Sequence, residues 1–465
     1  MDTNKQLQKR PWIIAGLLIL TLLSTAMTGC QNQATSGTVN STFVDVNGLL
    51  AVPTKVAASY ATENLNLGND SCAGTPQFLD GTLYTFSYHS DLSQWTTAWD
   101  QATGKKLWSV YTNASAYIRP FTTDGNHLFF VRAGLLMSGV PDVAASIMCL
   151  DKTTGATVWQ SIPAHASSRD FNILSNIAVR IDEQKQFAQL YVIGQEYSTS
   201  TYGSTTTAEV LFPNIWTSDV TTGTFHQELI DWTGETARVF ESGGRLLCNG
   251  TTLYASMPES TPSVSTSMLV AINLDTNKIL WSEHVNGEVT DLIKQGDRLV
   301  ALLSNNKQER SIDVWKIRTG SFDKTERLWT RQIDTNPAHF AVDEANVYLQ
   351  GSNGTLMALD LATGKEAWRH QFTSYKTPIT DGPDTGKLSD FYPDMTLTTT
   401  RDVLYVQDGG GLVAALDLVT GKELWNKRIS QVVWGQTHTD NLFVLQPVDK
   451  GFFVIASDGK VDLWQ

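Results

Sequence analysis

Four stretches of this chain are written to one nine-residue pattern: Asp100-Gln-Ala-Thr103-Gly104-Lys-Lys-Leu-Trp108, Asp151-Lys-Thr-Thr154-Gly155-Ala-Thr-Val-Trp159, Asp360-Leu-Ala-Thr363-Gly364-Lys-Glu-Ala-Trp368 and Asp417-Leu-Val-Thr420-Gly421-Lys-Glu-Leu-Trp425. A fifth, Asn273-Leu-Asp-Thr276-Asn277-Lys-Ile-Leu-Trp281, carries Asn where the others have Gly. Asn is the next residue after Gly to tolerate positive φ, so the exchange itself marks a tight turn. Three looser copies keep part of the pattern. Thr222-Gly223 lacks the Trp, Thr319-Gly320 reaches Trp329 only after an insertion, and Asp458-Gly459 precedes Trp464.

A second series keeps step with the first. Short runs rich in β-branched and aromatic residues begin at Leu83, Leu128, Leu190, Leu253, Leu299, Val347, Leu404 and Leu442, 38 to 63 residues apart, each ahead of its own turn. A unit of that length, with Gly, Asn or Asp at its bends, reads as a four-stranded antiparallel sheet. In it the Asp caps the turn through its side chain and the Gly supplies positive φ. The Trp on the following strand fills the space between adjacent sheets. A lone sheet cannot bury both faces, so the units must stack. The pattern predicts an all-β chain: an eight-bladed β-propeller over residues 74–465, with seven blades as the alternative because the third, fifth and eighth copies are degenerate. Residues 42–73 read as a cap or closing segment, strand-like at Thr42–Val46 and helical at Lys55–Asn64.

An address stands ahead of the repeats. Lys5, Lys9 and Arg10 precede an apolar run from Trp12 to Leu23 and a small-residue end, Thr28-Gly29-Cys30. A basic start, a short apolar core and small residues match a secretory signal over residues 1–29. The run falls short of the ~20 apolar residues a spanning helix needs. Thr28-Gly29-Cys30 resembles the lipobox of bacterial lipoproteins, which implies cleavage before Cys30 and acylation of its thiol. Such a chain is held at a membrane surface without spanning it. Residues 30–41 are small and polar and read as a flexible tether. Lys and Arg total 34 against 47 acids, a net charge of −13, so nucleic acid is not an expected partner.

Patterns that carry chemistry are missing. There is no Gly-x-Ser-x-Gly, His-Glu-x-x-His or P-loop, and the eight His are scattered singly. With Cys30 lipidated, Cys72, Cys149 and Cys248 allow at most one disulfide and read as isolated buried thiols. Asp381–Lys387 reads as a solvated loop. The repeat aspartates Asp100, Asp151, Asp360 and Asp417 stand at a fixed place before Thr-Gly, which makes them turn residues and not metal ligands.

The repeated unit resembles that of the quinoprotein-type (PQQ-like) propeller family, over roughly residues 74–464. That family holds quinoprotein alcohol dehydrogenases and a non-enzymatic branch of BamB-like outer-membrane assembly lipoproteins. The resemblance implies the fold strongly and the function weakly, since one repeat serves enzymes and scaffolds alike. The dehydrogenases share a vicinal Cys-Cys pair, and no Cys-Cys occurs here. The reading is therefore a BamB-like, lipid-anchored, non-catalytic scaffold, a monomeric ring that binds envelope or surface proteins and holds no cofactor or metal. Its alternatives are a PQQ-dependent dehydrogenase-like enzyme and a surface ligand-binding or sensor propeller.

The partner-binding face follows from strand order. In a four-stranded meander the loop between strands two and three shares a face with the connection to the next blade, and the Thr-Gly turn lies on the other. The former loops read as long only in units two, three and four, at Gly134–Ser146, Gln195–Ala208 and Pro258–Thr266. Leu135, Leu136, Met137 and Val140 in the first, with Tyr197 and Tyr202 in the second, are the expected binding rim.

Overall fold

The computed structural model describes the strands named below and most of the short turns within blades, between Val56 and Trp464. Residues 1–55 and several connecting segments, 133–145 and 429–443 among them, lie outside the described residues. Eight antiparallel sheets follow one another along the chain as blades, a sequence of units that matches the eight expected. Blade one is β2 (Gln77–Leu79), β3 (Thr82–Tyr88), β4 (Gln94–Asp100) and β5 (Lys106–Tyr111). Blade two is β6 (Thr122–Thr123), β7 (His127–Arg132), β8 (Ser146–Asp151) and β9 (Thr157–Ser161). Blade three is larger: β10 (Phe171–Ile173), β11 (Ala178–Asp182), β12 (Phe187–Tyr202), β13 (Thr205–Val210), β14 (Asn214–Asp219) and β15 (Phe225–Glu228). Blade four is β16 (Arg245–Asn249), β17 (Thr252–Glu259), β18 (Thr266–Asn273) and β19 (Lys278–Asn286). Blade five is β20 (Glu288–Gln295), β21 (Arg298–Ser304), β22 (Arg310–Lys316) and β23 (Glu326–Ile333). Blade six is β24 (Phe340–Val342), β25 (Asn346–Gln350), β26 (Thr355–Asp360) and β27 (Glu366–Gln371). A separate hairpin, β28 (Tyr375–Pro378) and β29 (Leu388–Phe391), precedes blade seven, which is β30 (Met395–Thr399), β31 (Val403–Asp408), β32 (Leu412–Asp417) and β33 (Glu423–Arg428). Blade eight is β34 (Val444–Val448), β35 (Gly451–Ile455), β36 (Lys460–Trp464) and, on its outer side, β1 (Val56–Ala61).

The turns form as their residues dictate. The Asp360 carboxylate accepts from the Thr363 backbone N–H at 2.7 Å and the Thr363 hydroxyl at 2.6 Å. Asp151 and Asp417 hold Thr154 and Thr420 in the same way. Gly155, Gly364 and Gly421 then sit at φ 72°, 67° and 67°, and each N–H returns to the aspartate's own carbonyl. In blade four Asn273 caps Thr276 and Asn277 takes φ 55°.

One extra residue after each turn then aims the Trp. The pairing of third and fourth strands shifts register in blades one, two, four, five, six and seven. The residue left over is the one before the Trp: Leu107, Val158, Leu280, Leu328, Ala367 and Leu424. A β-bulge re-aims the next side chain, here toward the following blade. The Trp108 indole N–H donates to the Lys152 carbonyl at 3.0 Å, Trp159 to Val220 at 2.9 Å, Trp329 to Leu361 at 3.1 Å and Trp368 to Leu418 at 2.9 Å. Each ring lies on the glycine of that neighbouring turn. A β-carbon on Gly155 would stand 2.5 Å from Trp108 Cδ2, and one on Gly364 2.6 Å from Trp329 Cδ2; Gly223 and Gly421 are covered as closely by Trp159 and Trp368. Glycine is thus demanded twice, by φ and by the indole above it.

This coupling accounts for the irregular copies. Gly223 is kept because blade two supplies Trp159, although blade three has no Trp after its own turn. With no indole arriving from blade three, blade four can carry Asn277, whose amide donates to Glu228 at 2.9 Å. Blade three also lacks the bulge, its β14–β15 ladder running without a shift. Polar contacts complete that joint. Asn176 exchanges hydrogen bonds with the Leu246 backbone, and Arg180 pairs with Asp275 at 3.2 Å. The core lies between blades: six apolar clusters each draw on two neighbours, from blades one and two through six and seven.

Two expectations need correction. Lys55–Asn64 is not helical where it is described, because Val56–Ala61 pairs with β36 as an outer strand. The ring offers β36 an edge to fill, and that tertiary ladder overrides a weak local preference. The eighth unit is also shifted by one strand. Asp458-Gly459 joins the second and third strands of its blade, so Trp464 ends the third strand and the run near Leu442 leads into the first.

Trp368 is 8% exposed, so Trp368→Ala should cost about 3–5 kcal/mol. Gly421→Ala should cost more than the ~1–2 kcal/mol of a left-handed residue alone. In the Trp368→Ala background its cost should fall back to that value. Urea midpoints of the four chains measure the coupling; strictly additive effects would rule out the contact as the source.

Hydrogen bonds from the following Thr hold the Asp151, Asp360 and Asp417 carboxyls below their ordinary value. A depressed folded value gives stabilisation that is complete above about pH 4 and is lost as pH falls through the folded value. Replacing the three by Asn, as blade four does at position 273, should flatten the fall in Tm below about pH 4 while leaving neutral-pH stability nearly unchanged. Thermal melts across the acid range test this.

Candidate functional site

The groups able to do chemistry are occupied structurally. The repeat aspartates described above face their own turns. Among the described residues no three His, Cys, Asp or Glu side chains converge as a metal site would require. Cys149 and Cys248 are buried free thiols, and burial, with Asp124 and Asp151 nearby, pushes Cys149 up to about 12. His127 pairs with Asp124 and His284 with Glu259, each at 2.8 Å. Cys30, Cys72 and Gly104 lie outside the described residues, as does the Asp381–Lys387 segment between β28 and β29.

Variation collects on the face of the second-to-third-strand loops. Leu135, Leu136, Met137 and Val140 of unit two are outside the described residues. In unit three Gln195–Ala208 is not a loop. β12 runs on for 16 residues to Tyr202 and pairs with β13 over six positions, Tyr197 opposite Val210 and Tyr202 opposite Thr205. At ~3.3 Å per residue this arm extends about 20 Å past the body of the blade. Its root is three strands wide, because β10 pairs with Gly194–Glu196 on the other side of β12. The missed signal was Gly203-Ser204, a two-residue Gly-Ser turn between Ser/Thr-rich runs, which is hairpin chemistry. In unit four the strands also extend, with Pro258 opposite Ser267 and Glu259 opposite Thr266, so only residues 260–265 remain outside the ladder. The β28–β29 hairpin, in the connection from blade six to blade seven, belongs to the same face.

The opposite face receives the chain's N-terminal side. Val56 pairs with Trp464 at the end of β36, on the face of the Thr-Gly turns, and β1 runs from there to the loop face. Sequence reasoning also passed over the outer flank of blades one to three. There Leu107, Tyr111, Val158 and Leu229 are exposed, two of them as bulge residues that turn outward so that the Trp can turn inward.

The comparisons agree with this architecture. Residues 44–190, 301–370 and 389–465, well over half of the chain, match the family described as outer membrane protein assembly factor BamB. The outer membrane protein assembly factor BamB of Yersinia pestis is 22% identical over 204 residues, which are 43% of this chain and 48% of that protein. The corresponding protein of Shewanella oneidensis is 20% identical over 203 residues, 42% of this chain and 48% of its own. The chain thus aligns with about half the length of these relatives. The quinohemoprotein alcohol dehydrogenase from Comamonas testosteroni shares the fold, at a TM-score of 0.52 and 14% identity over 90% of this chain and 77% of that one. By its repeats, its eight blades and the extent of the match, the chain belongs to the PQQ-like repeat family of the outer membrane protein assembly factor BamB.

Proposed function

We propose that this propeller is an exported, lipid-anchored, non-catalytic scaffold that docks partner proteins of the cell envelope on its loop face. Residues 1–29 act as the signal, Cys30 as the acylated residue and residues 30–41 as the tether. The carrying observation is the unequal distribution of irregularity. One face carries the four latched turns, while the β12–β13 arm, the long segment of blade two and the β28–β29 insertion fall on the other. A scaffold needs a rigid body and a distinctive surface, and this division supplies both. Family membership supports the same reading. β1 starts on the Thr-Gly face, so the chain joins the ring at Val56 on the side opposite the docking rim.

Cys30→Ser should move the protein from the membrane pellet to the soluble exported fraction. Sedimentation with membranes after a high-salt wash would refute the anchor. Shortening residues 134–145 and 198–209 to tight turns should abolish in-cell cross-links to partners while circular dichroism and Tm stay near wild type. Full retention of those cross-links would place docking elsewhere.

A further inference from the structure

Exposed edge strands invite pairing with other chains, and folded proteins ordinarily blunt them with bulges, Lys, Pro or short length. The outer strands of this ring follow that rule. β5, β9, β19, β23, β27 and β33 each carry a bulge, β1 is irregular between Val56 and Ala58, and β15 has only four residues. β13 departs from it. It pairs with β12 over six consecutive positions without a shift, and its sequence, Thr-Thr-Thr-Ala-Glu-Val, has neither Lys nor Pro. Among the described strands β12 is its one partner, while β10 covers the far side of β12 only at its root, Gly194–Glu196.

Charge narrows the occupant. From Gln186 to Ala237 the sequence has no Lys or Arg, against six acids, Glu196 and Glu209 bracketing the arm. Two copies meeting through this region would oppose like charges. The chain's own N-terminal side emerges on the opposite face, at Val56.

We propose that the Thr205–Val210 edge is a docking strand that takes an extended segment of a partner protein by main-chain pairing, the segment carrying Lys or Arg beside its pairing run. This rests on the scaffold reading and names its docking element. Main-chain hydrogen bonds supply affinity in such augmentation, and flanking charge supplies selection.

The test titrates the full chain with a Lys-flanked peptide of alternating Thr and Val, its Glu-flanked counterpart, and a Lys-flanked version interrupted by a central Pro. The Lys-flanked peptide should bind, read by fluorescence anisotropy, and slow hydrogen exchange at Thr205–Val210. The Glu-flanked and Pro-interrupted peptides should each bind about tenfold more weakly or worse. Thr206→Pro and Thr207→Pro provide the protein side, since N–H groups of adjacent strand residues point to opposite edges. The variant that retains exchange protection in β12 should lose the peptide. Equal binding of the Pro-interrupted peptide, unslowed exchange at Thr205–Val210 under saturation, or a dimer of the free chain dissolved by these variants would each overturn the proposal. Failure with the peptide while in-cell cross-links through residues 134–145 persist would reject the docking strand and leave the scaffold standing. Loss of both would remove the scaffold as well.

Discussion

The contact on which this ring depends is an indole laid on a glycine of the next blade. Four such contacts are present among the described residues, each with an indole N–H bonded to a neighbouring carbonyl. The contact is directional: blade n contributes the Trp and blade n+1 the Gly and the carbonyl. A buried aromatic ring brings a large apolar area to the joint, and its hydrogen bond fixes where that area sits. Apolar burial alone would hold two sheets together without setting their relative position. The repeated latch sets it at one joint after another.

That directionality explains how sequence degeneracy can be tolerated. A missing Trp frees the following turn, not its own, from the need for glycine. Blade three and blade four show the exchange, with Glu228 and Asn277 replacing ring and glycine. The joint gives up an apolar latch and gains the Asn176–Leu246 pairing and the Arg180–Asp275 ion pair. Half-exposed ion pairs of this kind contribute little. The apolar cluster shared by blades three and four, including Ile193, Ile215, Met257 and Val270, carries the larger share of that joint.

The blade count, the turn chemistry of the regular copies and the position of their Trp were legible because they repeat, and repetition separates signal from local noise. What repeats least was misread. Lys55–Asn64 has no repeat to align with, and its local preference says nothing about the vacant edge of β36. The eighth unit was shifted because Asp458-Gly459 carries the turn residues of one loop in the position of another; only the pairing of β36 with β1 distinguishes them. At the rim, Gln195–Ala208 read as a loop because Ser and Thr are common in both loops and strands. The Gly203-Ser204 dipeptide, weighed against the β-branched Thr on either side, would have identified the hairpin.

The latch also bears on where function can reside. The four latched turns, in blades two, three, six and seven, each present a glycine and a carbonyl to the Trp beside them, so an insertion in one of these disturbs two blades at once. Loops on the other face meet no such requirement, since the second and third strands can lengthen or bend beyond the sheet without moving a latch. Residues 195–210 illustrate this: β12 and β13 extend past the ladder while Val220 and Gly223, on the far end of the same blade, still receive Trp159. A propeller built this way has one face on which change is costly and one on which it is nearly free. Distinctive chemistry therefore accumulates on the free face, while the chain joins the ring at Val56 on the constrained one.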